Sequence, residues 1–506
     1  MMKVFLMNRS RDFDPGCEPS PNAQTLIQDL ELNTLFDTMA MGDPFLLEIA
    51  RKVVLSSLKD EPAVLYRQDV LKDCLEHPSV VKDIYGLAVE TIDSRKRHWW
   101  GFTSRFPDSI LYSAREVMDM LAVMLKKLRS IADEHAQGFK SEGFSRFFAM
   151  IARELQDDYF ASIQEHLREL KCKDGVLVSA ELGIGNKGAG HTLRKPLHNE
   201  QGWMKRVFSK PAAYTFCISN RDEAGAQAMS ELRARGINLV ADALARSADH
   251  ILGFFNTLRT ELAFYVACLN LYGRLVQKGE PVSFPAPFPS GDRIHSFKGL
   301  YDVCLSLNME QRAIGNDMNG DGKDLAIITG ANRGGKSTFL RSIGLAQLMM
   351  QCGMFVPAES FRSNICDGLF THYKREEDHT MKSGKFDEEL GRMSDIADSV
   401  RTNSLVLFNE SFAATNEREG SEIAGQITRA LLDKQIKVFY VTHLYDFADR
   451  FCGKKRGNAI FLRAEREANG GRTFRILEGD PQQTSYGEDL YYTIFDGGSA
   501  KSRAAQ

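Results

Sequence analysis

The sequence lacks an apolar run long enough to cross a bilayer, and its N-terminus reaches Arg9, Arg11 and Asp12 too early for a secretory signal. Its nine cysteines contain no C-x-x-C pair and no paired His-Cys spacing, so we predict neither a zinc site nor a disulfide framework. The formal net charge of -3 excludes a generally basic nucleic-acid binder but leaves room for a local basic face. We therefore predict a cytoplasmic protein with free thiols and no membrane association, in which any DNA contact is regional.

The 506 residues, 43% of them hydrophobic, are enough for more than one core, and we expect two to four domains. Roughly the first 280 residues show helical periodicity. Apolar residues recur at steps of three and four in two series: Val117, Leu121, Met124, Leu128 and Ile131, then Phe148, Ile151, Leu155, Tyr159, Ile163, Leu167 and Leu170. Helices of this length could form arms or a lever; the alternative is a compact bundle.

The helical pattern is interrupted between about residues 174 and 220, where strand-like runs and glycines predict a small β-containing insertion. A second helical passage begins at Asp222 and ends near Gly279. The proline-rich stretch "EPVSFPAPFPSG" that follows predicts a linker to the next domain.

From about Leu325 onward, short apolar strands alternate with helices. The strand candidates are "LAIIT", "SLVLF", "VFYVT", "AIFLR" and "TFRIL". This alternation predicts an α/β domain with a largely parallel sheet, closed by a hairpin near residues 459–478. Ligands of such sheets bind at the carboxyl ends of the strands.

The segment "LAIITGANRGGKST" has the pattern G-x-x-x-x-G-K-S directly between a strand and a helix. Glycines let the loop fold its backbone N–H groups around a phosphate, and the helix N-terminus adds a favourable dipole. Lys336 would reach the β and γ oxygens of ATP, and the Ser337 hydroxyl would bind Mg²⁺. The predicted nucleotide-binding residues are Gly330, Ala331, Asn332, Arg333, Gly334, Gly335, Lys336, Ser337 and Thr338.

Two further strands end in polar residues. "SLVLF" leads to Asn409 and Glu410, and "VFYVT" leads to His443. An acid at the first of these positions usually helps to hold the Mg²⁺ shell, so Asn409 keeps an oxygen acceptor but loses a charge. We predict Glu410 as the general base and His443 as a γ-phosphate contact, with Ser337 and Asn409 as metal ligands. Turnover is expected to be slow, with ATP binding intact.

The ordered stretches "IGNDM", "TGANRGGKSTFLRSIGLAQLMMQCGMFVPAES", "DGLFTHYKREED", "SLVLFNESFAATNEREG", "VTHLYDF" and "TSYGEDL" resemble the MutS-type ATPases of DNA mismatch repair. More weakly, residues 46–78 resemble the start of the family's helical core. The family resemblance implies a multidomain fold, with a mostly helical core, lever and clamp followed by an α/β P-loop ABC-like ATPase domain. The corresponding segments are 1–115, 116–280 with the insertion, and 281–506 with a C-terminal dimerisation segment.

The resemblance also implies a homodimer that sandwiches ATP between the loop of one chain and a signature segment of the other. Here that segment is "KSGKFDEEL", with Ser383, Gly384, Phe386 and Glu389 as the predicted trans contacts. Three departures from the family pattern stand out. No mismatch-reading domain is expected before the core, Gly384 replaces the signature serine, and Asn409 replaces an Asp. We also expect no appended nuclease-like domain.

A basic segment within the insertion is the candidate DNA contact. "GIGNKG" within it satisfies G-x-G-x-x-G, but Pro196 spoils the helix that a dinucleotide site needs. Basic residues there could grip DNA phosphates without reading sequence, although a solvated loop or an interdomain contact would explain them equally well. The candidates are Lys187, Arg194, Lys195, Lys205, Arg206 and Lys210. The cluster "SRKRHWW", Ser94–Trp100, could stack on bases, but tryptophans of a helical domain more often belong to its core, and we favour that interpretation.

The sequence thus favours an ATP-hydrolysing, DNA-binding MutS-like dimer that acts as a nucleotide-controlled clamp in DNA repair or recombination. The alternative is a nucleotide-gated scaffold with little hydrolysis that acts on a protein or RNA-containing partner. A third hypothesis, an ABC or SMC-like ATPase outside this family, lacks support because no long uninterrupted coiled coil is evident.

Overall fold

The computed structural model describes residues 2–17, 20–98, 107–172, 175–195, 217–219, 221–375, 384–452, 457–467 and 471–481. Helices dominate its first 280 residues, and sheets with intervening helices follow. The helices are α1 (Ala23–Asp29), α2 (Leu32–Ala40), α3 (Pro44–Leu55), α4 (Glu61–Glu76), α5 (Pro78–His98), α6 (Pro107–His135), α7 (Glu142–Glu154), α8 (Asp157–Glu169), α9 (Glu223–Gln277), α10 (Val303–Asn308), α11 (Lys336–Gln351), α12 (Lys385–Ser399), α13 (Glu417–Asp433) and α14 (Tyr445–Cys452).

Twelve strands form three sheets in the described part of the chain. The strands are β1 (Leu177–Leu182), β2 (Gly188–Arg194), β3 (Ala286–Phe288), β4 (His295–Leu300), β5 (Asn316–Asn319), β6 (Leu325–Gly330), β7 (Ser360–Asn364), β8 (Leu369–Tyr373), β9 (Leu405–Asn409), β10 (Lys437–Val441), β11 (Ala459–Arg466) and β12 (Arg472–Glu478). The predicted fold class is confirmed in its coarser form, a helical region followed by an α/β region.

The chain divides into two compact units. One contains residues 1–4, 79–140 and 144–260, and the other contains residues 5–78, 141–143 and 261–506. These bounds differ from the three predicted segments, because the N-terminal helices pack against the α/β region. Helix α1 contacts β8, and α2 contacts α10. The predicted segment boundaries remain predictions.

The first unit is built from long helices and a hairpin. Val117, Leu121 and Leu128 of α6 are buried, as their spacing predicts. The hairpin β1–β2 is antiparallel, and Val178 lies so close to Gly236 of α9 that a Cβ there would come within 2.4 Å of its Cγ2. The described part of the predicted β-containing insertion thus includes a hairpin that packs on α9 at Gly236, a residue without a side chain.

The second apolar series does not form one helix. It is split between α7 and α8, with Gln156 in an extended conformation (φ -76°, ψ 161°) between them. Asp157 and Asp158 occupy the first turn of α8, where negative charge stabilises a new helix N-terminus. The apolar series runs through this break, because the spacing of apolar residues indicates which residues are buried and does not indicate where one helix ends and the next begins.

The main sheet of the second unit has the order β12-β11-β6-β10-β9-β8. All pairs are parallel except β11–β12, which is the predicted hairpin. β6 and β10 are buried at every residue, as central parallel strands should be. The parallel register brings the carboxyl ends of β6, β9 and β10 to one edge.

The proline-rich segment is not the free linker that its composition predicts. β3 lies within it and forms the edge of a second sheet of order β3-β7-β4-β5. Ser283 also pairs with Val356. Pro287 is tolerated here because β3 is an edge strand, and edge strands accommodate a residue without an N–H. Proline content therefore misidentified a sheet edge as a linker.

Candidate functional site: a glycine loop at the carboxyl edge of the sheet

The loop of residues 330–338, called here the glycine loop, leaves β6 and enters α11. Three of its residues have positive φ: Gly330 (109°), Arg333 (58°) and Gly335 (87°). A Cβ at Gly330 would lie 2.9 Å from Ala464 N, and one at Gly334 would lie 2.7 Å from Ala464 Cβ. Side chains at these positions would collide with β11. The loop therefore needs its glycines to pass close to the neighbouring strand and keep its concave backbone.

Lys336, the first residue of α11, lies back over this loop. Its Nζ donates hydrogen bonds to Gly330 O and Ala331 O, each at 3.0 Å. Burial lowers the pKa of Lys336 to about 8, opposed by the charge of Glu410 and assisted by that of Arg472. The ammonium is thus held where an anion on the loop would meet it.

This pKa predicts a pH dependence of nucleotide affinity. Because phosphates require the charged ammonium, binding above pH 8 must first restore a proton that Lys336 has lost. We expect Kd for ATP to be flat below pH 8 and to rise by up to about tenfold per pH unit above it. Calorimetric titrations between pH 7 and 9.5 measure this. A constant Kd over that range would contradict it.

Ser337 and Asn409 meet at the same edge. Ser337 Oγ donates to Asn409 Oδ1 at 2.9 Å, and Asn409 is the last residue of β9, paired with Val441 of β10. Both predicted metal ligands are neutral. No cluster of three or more His, Cys, Asp or Glu suited to a metal occurs among the described residues. A divalent ion would fit here with Ser337 and Asn409 as neutral oxygen donors, while the charge that binds it would come mainly from the phosphates.

Glu410 follows Asn409 and is paired with His443. His443 Nε2 lies 2.9 Å from Glu410 Oε1, and each side chain is 30% exposed. The hydrogen bond from His443 lowers the pKa of Glu410, and the charges of His443, Lys336 and Lys374 act in the same direction while partial burial opposes them. Glu410 is therefore an ionised carboxylate at neutral pH, facing the edge where the glycine loop lies.

Three of the four predicted signature residues lie within the described part of the chain, at or near the start of α12, and they differ in burial. Gly384 is the N-terminal cap of α12, and Phe386 is half-buried against the core around β9 and β10. Glu389 is buried, and its Oε2 accepts a hydrogen bond from Phe412 N at 2.9 Å within its own chain. Ser383 lies outside the described residues. A contact with a partner's nucleotide remains a prediction, and in this conformation Glu389 points inward.

Strand β12 contributes two residues to the loop that the sequence did not predict as site residues. Arg472 Nε donates to Asn332 O at 3.2 Å. Phe474, with φ of 58°, is 47% exposed and lies beside Gly335. The i, i+2 spacing of these two residues could have indicated a shared strand face. Nothing in the sequence placed that face against the glycine loop.

Three of the six candidate DNA contacts lie within the described residues. Lys187 is exposed at the turn before β2. Arg194 Nε donates to Ser179 Oγ at 2.9 Å, and Lys195 pairs with Glu169 at 3.0 Å, where Lys195 is 68% exposed. Exposed pairs of this kind contribute little to stability, so they leave these side chains available to a stronger anion. Lys205, Arg206 and Lys210 fall in the undescribed part of the insertion.

No described helix is long and apolar enough to cross a membrane.

Two family models match the chain. The MutS2 N-terminal domain matches residues 59–278, and MutS domain V matches residues 326–492. The second match contains the glycine loop, Asn409, Glu410 and His443. The first contains most of the helical region and the β1–β2 hairpin. The two matches follow one another along the chain in the order that the sequence resemblance predicts.

Curated relatives carry the description DNA mismatch repair protein MutS. The protein from Lactobacillus gasseri is 30% identical over 263 residues, covering 51% of this chain and 30% of the relative. That from Thermus aquaticus is 31% identical over 234 residues, covering 46% and 28%. That from Prochlorococcus marinus is 26% identical over 374 residues, covering 69% and 39%. The matches span well under half the length of these relatives.

The predicted resemblance is confirmed by these matches, and the chain belongs to the MutS family.

Proposed function

We propose that this chain binds ATP with Mg²⁺ on the glycine loop and hydrolyses it slowly. The observation that carries the proposal is the convergence of three features at one sheet edge: a loop without room for side chains, a buried lysine over it, and an ionised glutamate paired with a histidine. This set matches the requirements of phosphoryl transfer, namely positioning, charge stabilisation and an oriented water.

Each residue has a definite task in this mechanism. Lys336 exchanges its contacts with Gly330 O and Ala331 O for phosphate oxygens, and backbone N–H groups of the loop hold the rest of the anion. Glu410 accepts a hydrogen bond from the attacking water, while His443 holds its carboxylate in place. Ser337 and Asn409 would hold Mg²⁺, which would supply positive charge to the phosphates when bound. The exposed ring of Phe474 offers an apolar face for the base.

Asn409 makes this site weaker than one with a carboxylate. Replacing Asn409 by Asp keeps the acceptor for Ser337 Oγ and adds a negative charge to the Mg²⁺ shell. We expect Asn409→Asp to raise kcat for ATP hydrolysis several-fold and to lower the Mg²⁺ concentration needed for half-maximal rate. Phosphate release measured over a Mg²⁺ titration tests both effects. An unchanged or lower rate would show that the site is built around the amide.

We further propose that the protein acts on DNA as a homodimeric, nucleotide-controlled clamp in DNA repair or recombination in the cytoplasm. Support comes from the description of its relatives, DNA mismatch repair protein MutS, from the exposed basic Lys187 and Lys195, and from the free state of the cysteines. ATP can change DNA affinity only if it binds one arrangement of the chain better than another. Dimer formation is measured by light scattering with and without ATP.

The DNA proposal is tested by fluorescence anisotropy with duplex, mismatched, branched and single-stranded DNA, with and without ATP at low salt. We expect binding that weakens steeply with salt, and a shallower salt dependence for Lys187→Glu than for the surface control Lys298→Glu. Absence of DNA affinity in every nucleotide state would contradict the proposal. That result, together with ATP binding, would favour the second candidate, a nucleotide-gated scaffold for a protein or RNA-containing partner.

The scaffold hypothesis has one specific observation in its favour. The Ser337–Asn409 pair places two neutral groups where hydrolytic sites usually bring a carboxylate to the metal. Intact ATP binding with no phosphate release above that of a Lys336→Met variant would favour it over hydrolysis.

A further inference from the structure

The segment that follows Glu410 has an unusual backbone. Glu410 (φ 54°) and Phe412 (φ 62°) both have left-handed conformations, although neither is glycine. Each such residue carries strain of about 1–3 kcal/mol unless surrounding contacts impose it. The direction of the Glu410 side chain therefore depends on what holds residues 410–412.

Three buried side chains hold this segment. Tyr440 OH donates to Ser411 O at 3.0 Å. The ring of His372, at the end region of β8, lies with Nδ1 2.7 Å from Ser411 Oγ and Nε2 3.0 Å from Glu389 O. Glu389 Oε2 accepts from Phe412 N at 2.9 Å. Helix α12 is thus hydrogen-bonded to residues 410–412 in two ways. Its backbone reaches Ser411 by way of the His372 ring, and the side chain of Glu389 bonds Phe412 N directly.

A buried glutamate at position 389 destabilises the folded state more than an apolar residue would, unless its carboxylate has a task besides packing. It is 1% exposed, burial raises its pKa, and its Oε1 has no hydrogen-bond partner within the described residues. A buried carboxylate with one unsatisfied oxygen costs more than an apolar side chain of the same size. Within the described part of the chain, the carboxylate of Glu389 accepts its hydrogen bond from the backbone of a left-handed residue two positions after Glu410.

We propose that Glu389 is a positioning residue for ATP hydrolysis, which fixes the backbone of residues 410–412 through Phe412 N and thereby aims Glu410. The inference rests on the proposed function and assigns Glu389 a task within its own chain. A misdirected Glu410 lowers the rate of the chemical step, while the glycine loop and its phosphate contacts are untouched. The expected defect is therefore in kcat and leaves KM for ATP near its native value.

The first experiment compares Glu389→Leu, Glu389→Gln and the control Glu388→Leu in steady-state ATP hydrolysis. Glu388 is the adjacent carboxylate on α12 and pairs with Arg392 instead. We expect Glu389→Leu to lower kcat at least about tenfold with little change in KM. Glu389→Gln keeps an oxygen for Phe412 N and should stay within about threefold of the native rate, as should Glu388→Leu. Equal decreases of kcat in Glu389→Gln and Glu389→Leu would overturn the proposal, as would a change of KM as large as the change of kcat.

A second measurement does not depend on turnover. Nitrogen chemical shifts of the His443 ring, assigned with His443→Gln, report the Glu410–His443 hydrogen bond directly. In Glu389→Leu they should move toward the values found in Glu410→Ala, which has no side chain to bond His443, and unchanged shifts would overturn the positioning role. Absence of Glu410-dependent hydrolysis in the native chain would instead refute the proposed function, so the two failures are distinguishable.

Discussion

Glu410→Gln lowers kcat for ATP hydrolysis at least about 100-fold and leaves ATP affinity within a few-fold of native. The amide keeps the shape of the side chain and its contact with His443, but it loses the charge that polarises water. The pKa of Glu410 is lowered by His443, so the carboxylate is ionised throughout the pH range of a normal assay. Steady-state phosphate release and ATP titration measure the two effects separately.

Glu422→Gln is the matched control, because Glu422 is an exposed carboxylate of α13 paired with Arg450 on the surface. Its rate should equal the native rate. Equal rates for Glu410→Gln and the native chain would remove Glu410 from the chemistry and leave the phosphate contacts of the glycine loop without a catalytic partner.

Lys336→Met has the second large effect, on binding. Methionine fills the space of the lysine stem but removes the ammonium that lies between Gly330 O and Ala331 O. Losing a charged hydrogen bond to phosphate costs about 1.5–3 kcal/mol, which corresponds to roughly 10- to 150-fold in Kd. The pH dependence above pH 8 should disappear in this variant, since no titrating group remains over the loop.

Lys298→Met serves as the control for charge removal. Lys298 is an exposed residue of β4 that pairs with Glu359, and its loss should leave Kd for ATP unchanged. A native Kd in Lys336→Met would mean that the nucleotide binds elsewhere or that the backbone of the loop alone determines affinity.

Sequence reasoning could predict that the candidate residues meet at one sheet edge, because the information it used is local. A glycine pattern between a strand and a helix, and polar residues directly after two apolar strands, indicate one sheet edge without knowledge of packing. The structure brings Lys336, Asn409, Glu410 and His443 together at that edge.

The contributions that sequence reasoning missed come from pairings between distant segments. Arg472 and Phe474 reach the glycine loop only because β12 pairs with β11 and β11 with β6. Glu389 was predicted to contact a partner, and its bond to Phe412 N depends on where α12 packs. Register and helix docking are set by tertiary contacts, and a single sequence does not specify them.

Asn409 shows the same limit. The sequence identified an amide where a carboxylate is usual and predicted weak metal binding. It could not reveal that Ser337 donates directly to that amide. The bond gives Asn409 a second task, holding the Ser337 hydroxyl at the sheet edge. Asn409→Asp separates the two tasks, because Asp retains the acceptor and restores the charge.

Single-turnover hydrolysis tests the central claim most directly. The native chain, in excess over ATP with Mg²⁺ present, should convert the bound ATP to ADP and phosphate, and Glu410→Gln should bind the same ATP without converting it. ATP that stays intact on the native chain for as long as it does on Glu410→Gln would contradict the claim that this edge of the sheet is a hydrolytic site.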